Sequence, residues 1–305
     1  MKVETGLEGQ PIGLSGATIG TFDGVHRAHA RAIARLREVA GENGWTSVVI
    51  TFDTHPRCVL DPEHCPALLT PLDEKLDVLA ALEVDVTWVI PFTRHLAALE
   101  AASFMELLGS RVDIRHLVSG PDFALGHERR GDNSWLRTYG EEHGFALEVM
   151  PSLKMDGSEL HSSAIRRLLA AGDVRAAERL LGRPFRLCGT VVRGVQVGRQ
   201  LGYPTANIEL PATKLIPADG VYAVAVKRPG GIRSGALSIG SRPTFAGDHK
   251  VVEVHILDFD EDIYGAEISV DVIERLRGQI TYEGPEQLAR QMDLDVEETR
   301  RILSR

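Results

Sequence analysis

ATIGTFDGVHRAHARAIARLREVA, residues 17–40, followed by SVVITF at 47–52, is the stretch from which the fold can be read. ATIG is a short apolar run that ends on a glycine. Within residues 27–40, Ile33, Leu36 and Val39 recur on one face of a helix with arginines elsewhere, and Gly41, Asn43 and Gly44 stop it. SVVITF is apolar and β-rich. The order strand, glycine turn, helix, strand predicts a βαβ unit. His26 and His29 fall at or near the first turn of its helix, one helical turn apart and on the same side. The unbonded N–H groups and the positive dipole end of a helix make that place an anion site. No acidic or cysteine partner lies at ligand spacing beside the two histidines. Their context therefore favours a phosphate-binding turn over half a metal site or a solvated pair.

Working outward, 305 residues predict two domains, and 43% hydrophobic with 25% charged residues is ordinary for a globular protein. A net charge of −9 argues against a general nucleic-acid binder, which needs a basic footprint. Cys58, Cys65 and Cys188 form no CxxC pair, so the expectation is a reducing compartment without structural disulfides. MKVETGLEGQ lacks the basic-then-apolar pattern expected of a secretion signal, and no run of 18 apolar residues exists. The expected location is the cytoplasm, with no membrane partner; a weak homo-oligomer is left open.

The texture changes near Leu180-Leu-Gly-Arg-Pro184. Before it, strand-like runs (SVVITF, VTWVIPF, HLVSG, FALEVM) alternate with helix-like stretches at 27–40, 73–82, 102–109, 133–143 and 162–182. That is the α/β pattern with a parallel sheet. After it come RLCGTVV, TANIEL, GVYAVAV, GALSIG, VVEVHIL and EISVDVI, short β-rich runs parted by glycine and proline, then a helix at 285–303. These predict a small β-barrel or sandwich. The boundary falls at about 183, giving domains 1–183 and 184–305.

Three further segments of the first domain sit where ligands of open α/β folds bind, at the carboxyl ends of strands. They are His55-Pro-Arg57, Ser119-Gly-Pro-Asp-Phe-Ala-Leu-Gly126, and His161-Ser-Ser-Ala-Ile-Arg166. In the last, Ser162 or Ser163 can cap a helix and Arg166 falls in its first turns. Each has a plain structural explanation, but together the hydroxyls, helix ends and guanidinium suit a polyphosphate.

In the second domain, Gly194, Gly198 and Gly202 make a loop able to lie against phosphates, and Pro204 restricts the backbone after it. Thr205 and Asn207 alternate with Ala206, so on a strand they face the same way. A hydroxyl and a carboxamide oxygen are hard ligands that Mg²⁺ accepts alongside phosphates. On Val251–Leu257, Val252, Val254 and Ile256 share one face while Glu253 and His255 share the other. A lone strand Glu usually faces solvent, yet phosphorylating an alcohol benefits from a carboxylate that takes the hydroxyl proton.

GTFDGVHRAH, FDTHPRCVL, SGPDFALG and SSAIR resemble the motifs of the nucleotidyltransferase half of bacterial bifunctional riboflavin kinase/FAD synthetases. GRQLGYPTANI, DGVYAV, SIGSRPTF, VEVHILDFDEDIYG and ERLRGQITY resemble their riboflavin kinase module. The resemblance spans nearly the full length. It implies a Rossmann-like nucleotidyltransferase domain followed by a small β-barrel kinase domain with a C-terminal helix. It also implies the substrates riboflavin, FMN and ATP, with Mg²⁺ as cofactor. By the same motifs Gly20, Phe22, Asp23, His55, Arg57, Asp122, Phe123, Ser162 and Ser163 bind nucleotide or flavin, and His26, His29 and Arg166 serve adenylyl transfer. Gly194, Gly198, Arg199, Gly202 and Pro204 line the kinase's nucleotide loop. Thr205 and Asn207 stand at Mg²⁺–ATP, Glu253 is the catalytic base, and Arg277 and the Tyr282 region lie near the flavin. Ala28 replaces the family's second glycine in the histidine motif, Ser163 its threonine, and Ala124 a basic residue. The alternative is a riboflavin kinase whose first domain is a degenerate nucleotide- or flavin-binding regulatory module.

Overall fold

The computed structural model describes residues 1–155, 158–194, 202–244 and 247–304. They divide into two compact units, Met1–Leu160 and His161–Arg305.

The first unit runs β1 (Lys2–Thr5), β2 (Gly13–Ile19), α1 (Arg27–Asn43), β3 (Thr46–Phe52), α2 (Pro56–Leu60), α3 (Leu72–Ala81) and β4 (Val86–Ile90). It continues through α4 (Arg94–Ala97), α5 (Ala101–Gly109), β5 (Val112–Ser119), the hairpin β6 (Ala124–Leu125) and β7 (Gly131–Asp132), α6 (Asn133–His143) and β8 (Ala146–Val149). A second small hairpin pairs β9 (Lys154–Met155) with β10 (Ser158–Glu159). Six strands form one sheet in the order β1-β4-β3-β2-β5-β8, every pair parallel. Its central strands are apolar on both faces, as a helix-covered sheet requires. Val48 and Ile50 pack with Trp88, Phe104 and Leu117 on one side. Val49 packs with Ile33, Leu36 and Leu79 on the other. The helix predicted from Ile33, Leu36 and Val39 is α1, which buries those three residues and ends on Gly44 at φ 67°.

From β2 the chain steps to β3 and β4 on one side, then returns to place β5 on the other. The carboxyl ends of β2 and β5 therefore flank a topological switch point, where open α/β sheets hold their ligands. The loops leaving them are the histidine motif and Gly120–Phe123.

The second unit opens with α7 (Ser162–Ala171) and α8 (Val174–Leu181). The single helix expected over 162–182 is broken, because Gly172 turns left-handed (φ 81°) and the Asp173 carboxylate then caps α8 at Ala176 N (2.9 Å). Both helices belong to the second unit by packing, whereas the sequence boundary near 183 leaves them with the first. Val174, Ala177 and Leu181 are buried there, and Arg175 bonds Glu274. The N-cap of α7 is His161, with Ser162 and Ser163 as its first two helical residues, which corrects the expectation that a serine caps it.

The expected barrel or sandwich is a closed barrel. Its strands are β11 (Phe185–Val192), β12 (Ala206–Glu209), β13 (Gly220–Arg228), β14 (Gly231–Thr244), β15 (Gly247–Ile256) and β16 (Glu267–Arg277). They close in the order β11-β12-β15-β14-β13-β16. Alternate residues fill the interior, among them Leu187, Tyr222, Val224, Leu237, Val254 and Val270, each completely buried. The last helix, α9 (Pro285–Leu303), packs on β13, β14 and β16.

One expectation is overturned in the first unit. Cys58 and Cys65 form a disulfide, with Cα atoms 4.3 Å apart. Pro56 at the start of α2 and Pro62 at the start of a 3-10 turn fold the intervening segment back on itself. A six-residue spacing that looks unpairable in sequence is thereby closed.

Candidate active sites

In the first unit the loop after β2 carries a tightly specified conformation. Gly20 N donates to Ile50 O (3.0 Å), and Val25 N donates to Phe22 O (3.1 Å). Phe22 and Val25 adopt positive φ, 47° and 37°, with Gly24 at 84° between them. Left-handed backbone is costly for a side-chain residue and most of all for a β-branched one. The loop is held from outside. The buried Asp23 carboxylate accepts from Leu69 N (3.2 Å) and Thr70 N (3.0 Å), and Gly24 N donates to Thr70 Oγ1 (2.9 Å).

This loop delivers the chain to the start of α1, whose N-cap is His26. The His26 and His29 rings stack with centroids 3.7 Å apart, and Phe22 packs edge-on to His29 at 5.1 Å. His26 is only 4% exposed. Two imidazoles thus stand together at the positive end of a helix, as their spacing predicts.

His55, the N-cap of α2, accepts from Arg57 N through Nδ1 (3.1 Å), and Arg57 lies near Asp61 (3.8 Å). His55 shares a cavity of about 20 Å³ with Thr21, Asp23, Phe52, Thr70 and Lys75. After β5, Asn133 donates to Gly120 O and Pro121 O (2.9 Å each), and Ser119 Oγ donates to Asn133 Oδ1 (2.8 Å). Asp122 is exposed and its carbonyl accepts from Arg129; Phe123 packs on the core. Ser162, Ser163 and Arg166, the other residues expected at this chemistry, lie on α7 in the second unit.

In the second unit two cavities are bordered by the segment after the glycine loop. One, of about 180 Å³, brings together Thr205, Ser238, Glu253, Arg277, Tyr282 and Asp295. The other, of about 330 Å³, lies between Pro204-Thr205-Ala206 and the segment Phe259–Tyr264. Arg228, buried, holds that segment by covering the Phe259 ring at 4.2 Å and facing Glu261 at 3.7 Å. Asn207 stands opposite Glu253 in the β12–β15 register. A Cβ built on Gly194 would run into the Asn207 carboxamide, so only glycine lets that side chain pack so closely against the loop backbone.

Arg277 is set by Asp295 of α9: Nε donates to Oδ1 (2.9 Å) and Nη2 to Oδ2 (2.7 Å). Burial lowers the Arg277 pKa, but its bonds and charge contact with Asp295 outweigh that and hold it above the ordinary value. Burial raises the Tyr282 hydroxyl. Gln279 donates to Ser238 Oγ and Ile239 O (3.2 and 2.7 Å), closing one side of the smaller cavity. Gly202 takes φ 86°, as the loop exit requires. Gly198 and Arg199 lie outside the described residues.

A family model described as FAD synthetase matches residues 14–164, and one described as riboflavin kinase matches 181–303. The bifunctional riboflavin kinase/FMN adenylyltransferase of Pseudomonas fluorescens is 40% identical over 288 residues, 94% of this chain and 92% of that protein. Its counterpart in Escherichia coli K12 is 37% identical over 283 residues, 91% and 89% of the two chains. The chain belongs to this family. It carries both a riboflavin kinase domain and an FAD synthetase domain, and the match over 14–164 disfavours a kinase with a degenerate first half.

A solved structure named as a macrolide-efflux protein from Streptococcus pneumoniae has a TM-score of 0.88 at 29% identity, covering 96% of this chain and 95% of that one. That likeness carries the fold; the efflux in its name is said of that protein. Among the described residues here, no helix is long and apolar enough to cross a membrane.

The sequence motifs of a riboflavin kinase/FMN adenylyltransferase left unannounced several residues that brace these candidate sites. Asp295 and Gln279 act through partners 18 and 40 residues away, and no local pattern marks them. Lys75 is buried under the histidine loop. Burial pushes its ammonium down to about 8, against the opposing pull of Asp23 and Asp53. Asn133 is placed by the cap of α6, where Asp132 accepts from Trp135 N (2.9 Å).

Proposed function

We propose that the chain makes FMN from riboflavin and ATP in its barrel and FAD from FMN and a second ATP in its parallel-sheet half. In the first reaction Glu253 accepts the proton of the flavin's terminal hydroxyl while that oxygen attacks the γ-phosphorus of ATP and ADP departs. The grouping of Glu253 with Thr205, Arg277 and Tyr282 around one cavity carries this reading. Arg277 orients the flavin, and the larger cavity beside Pro204 takes the nucleotide, with Gly194 and Gly202 toward its phosphates; Gly198 and Arg199 are assigned to the same loop on their motif alone. Thr205 and Asn207 fit Mg²⁺ as hard oxygen donors, and Gly194 gives the carboxamide the room it occupies. When bound, the ion supplies positive charge to the phosphate oxygens.

In the second reaction a phosphate oxygen of FMN attacks the α-phosphorus of ATP, and pyrophosphate leaves. That nucleophile is already ionised, so the protein's work is neutralising charge and aligning the in-line displacement. His26, His29 and the N-terminal end of α1 provide this. Gly20, Phe22 and Asp23 hold the loop that carries them, and His55, Arg57, Asp122 and Phe123 border the bound molecules. Ser162, Ser163 and Arg166 are assigned to the same reaction on their motif alone. The division of labour accordingly runs near residue 183, although α7 and α8 pack with the barrel. Dependence on ATP supports a cytoplasmic site of action.

Chromatography of products from riboflavin, ATP and Mg²⁺ tests the whole reading: FAD is expected, and FMN alone would restore the kinase-only alternative. Glu253→Gln is expected to retain flavin binding and lower riboflavin phosphorylation about 100-fold or more. Near-normal turnover would refute Glu253 as the base.

A further inference from the structure

Lys75 sits in the first turns of α3 and is 6% exposed. Its Nζ donates to Thr21 O (3.1 Å), Thr51 Oγ1 (3.1 Å) and Phe52 O (2.9 Å). Thr21 begins the loop after β2, while Thr51 and Phe52 end β3, three residues before His55. One side chain therefore ties the exits of the two strands that carry the histidine motif and the His55-Pro56-Arg57 motif. The loop it ties holds Phe22 and Val25 at positive φ, a conformation that persists only where surrounding groups enforce it. Asp23 and Thr70 anchor the middle of that loop, and Lys75 anchors its beginning.

We propose that Lys75 is a positioning residue for adenylyl transfer, its ammonium clamping Thr21 to the end of β3 so that the 21–26 loop presents His26 and His29 side by side. The proposal rests on the adenylyl-transfer reading of that loop. Three acceptors surround Nζ, and an ammonium has three N–H donors where a neutral amine has two. Deprotonation leaves two N–H donors for the carbonyls of Thr21 and Phe52, removes the charge that strengthens them, and turns the third contact into one that the Thr51 hydroxyl must donate. The ionisable groups around Lys75 are Asp23 on the loop, Asp53 and His55 beyond β3, and the buried Glu74 beside it on α3. Asp23 and Asp53 favour the charged form, burial opposes them and prevails, and the proton is lost near pH 8. The clamp accordingly weakens as pH rises through that value.

The test uses the full-length chain and measures both reactions on the same preparation, with amide hydrogen exchange of residues 20–26 as a readout independent of turnover. Lys75→Met keeps the length and removes the donors; Lys75→Arg keeps the charge. In the natural protein, FAD formation from FMN should fall above about pH 8, apart from any decline in FMN formation from riboflavin. Lys75→Met should lower kcat for FAD formation by about 10- to 100-fold, the cost of a misplaced reacting group. It should abolish the separate alkaline limb, raise exchange at 20–26, and leave FMN formation within about twofold. Lys75→Arg should recover part of the activity and move the limb to higher pH. Full FAD formation in Lys75→Met, or reduced formation with unchanged exchange at 20–26, overturns the proposal. If Lys75→Met does not fold, a limb left in place in Lys75→Arg overturns it instead. A natural protein that forms no FAD defeats the adenylyl-transfer reading, and the exchange measurement then still decides whether Lys75 holds the loop.

Discussion

Replacing Asp295 by alanine removes a carboxylate that is 8% exposed in its side chain from a guanidinium that is 16% exposed. Arg277 then loses both of its bonds to that carboxylate, at 2.9 and 2.7 Å, and keeps Gly278 O (3.0 Å). Gln291 loses its bond to Oδ1 (3.0 Å) as well. Breaking a buried pair from one side costs about 3–5 kcal/mol, because the remaining charge is left without its partner. The residual exposure of Arg277 places the expected loss at the lower end, about 3 kcal/mol. The pair joins α9 to β16, so the damage should be confined to the second unit and should also loosen the wall of the smaller cavity. All three tryptophans, Trp45, Trp88 and Trp135, lie in the first unit. Denaturation followed by tryptophan fluorescence should therefore be unchanged, while calorimetry and circular dichroism should show the second unit melting earlier. Asp295→Asn, which keeps an acceptor, should lose less. A loss below about 1 kcal/mol would refute the argument that this pair holds α9 to the barrel.

His26→Ala and His29→Ala should each slow FAD formation about ten- to a hundredfold and spare FMN formation, since a charge-assisted contact is worth roughly 1.5–3 kcal/mol. Full FAD synthesis in both variants would remove these residues from the phosphate site. Reducing the Cys58–Cys65 disulfide, or replacing Cys58 by serine, should destabilise the first unit by about 2.5 kcal/mol on the chain-entropy account of so short a loop. Tryptophan fluorescence in denaturant reads that loss directly, and an unchanged midpoint would mean that α2 and the turn after it hold their shape without the bond.

What could be read from the residues was what local chemistry dictates. The helix at 133–143 was legible to the residue because Asp132 caps its start and Gly144 turns left-handed at its end. The same two signals, Gly172 and Asp173, stand inside the stretch read as one helix over 162–182, where continuous apolar periodicity masked them. Thr205, Glu253 and Arg277 were legible as a group because each belongs to a dense motif. Asp295 was not, since its importance comes only from the place where α9 docks. Lys75 was invisible for a related reason: its three acceptors, two of them backbone carbonyls, come from residues 21, 51 and 52 and leave no side-chain pattern around position 75. The disulfide escaped because closing it depends on how α2 and the 3-10 turn after it, which begin at Pro56 and Pro62, fold the chain rather than on cysteine spacing.

Thr205 borders both cavities of the barrel. A threonine hydroxyl has one proton to give, so an occupant that takes it on one side alters what an occupant meets on the other. Two ligands coupled through a shared wall residue in this way are thermodynamically linked, and linkage is symmetric for equilibrium binding. Whatever factor the first occupant contributes to the affinity of the second, the second returns to the first. On that account the two cavities are expected to fill as one binding unit, in which the order of filling changes the route but not the final free energy.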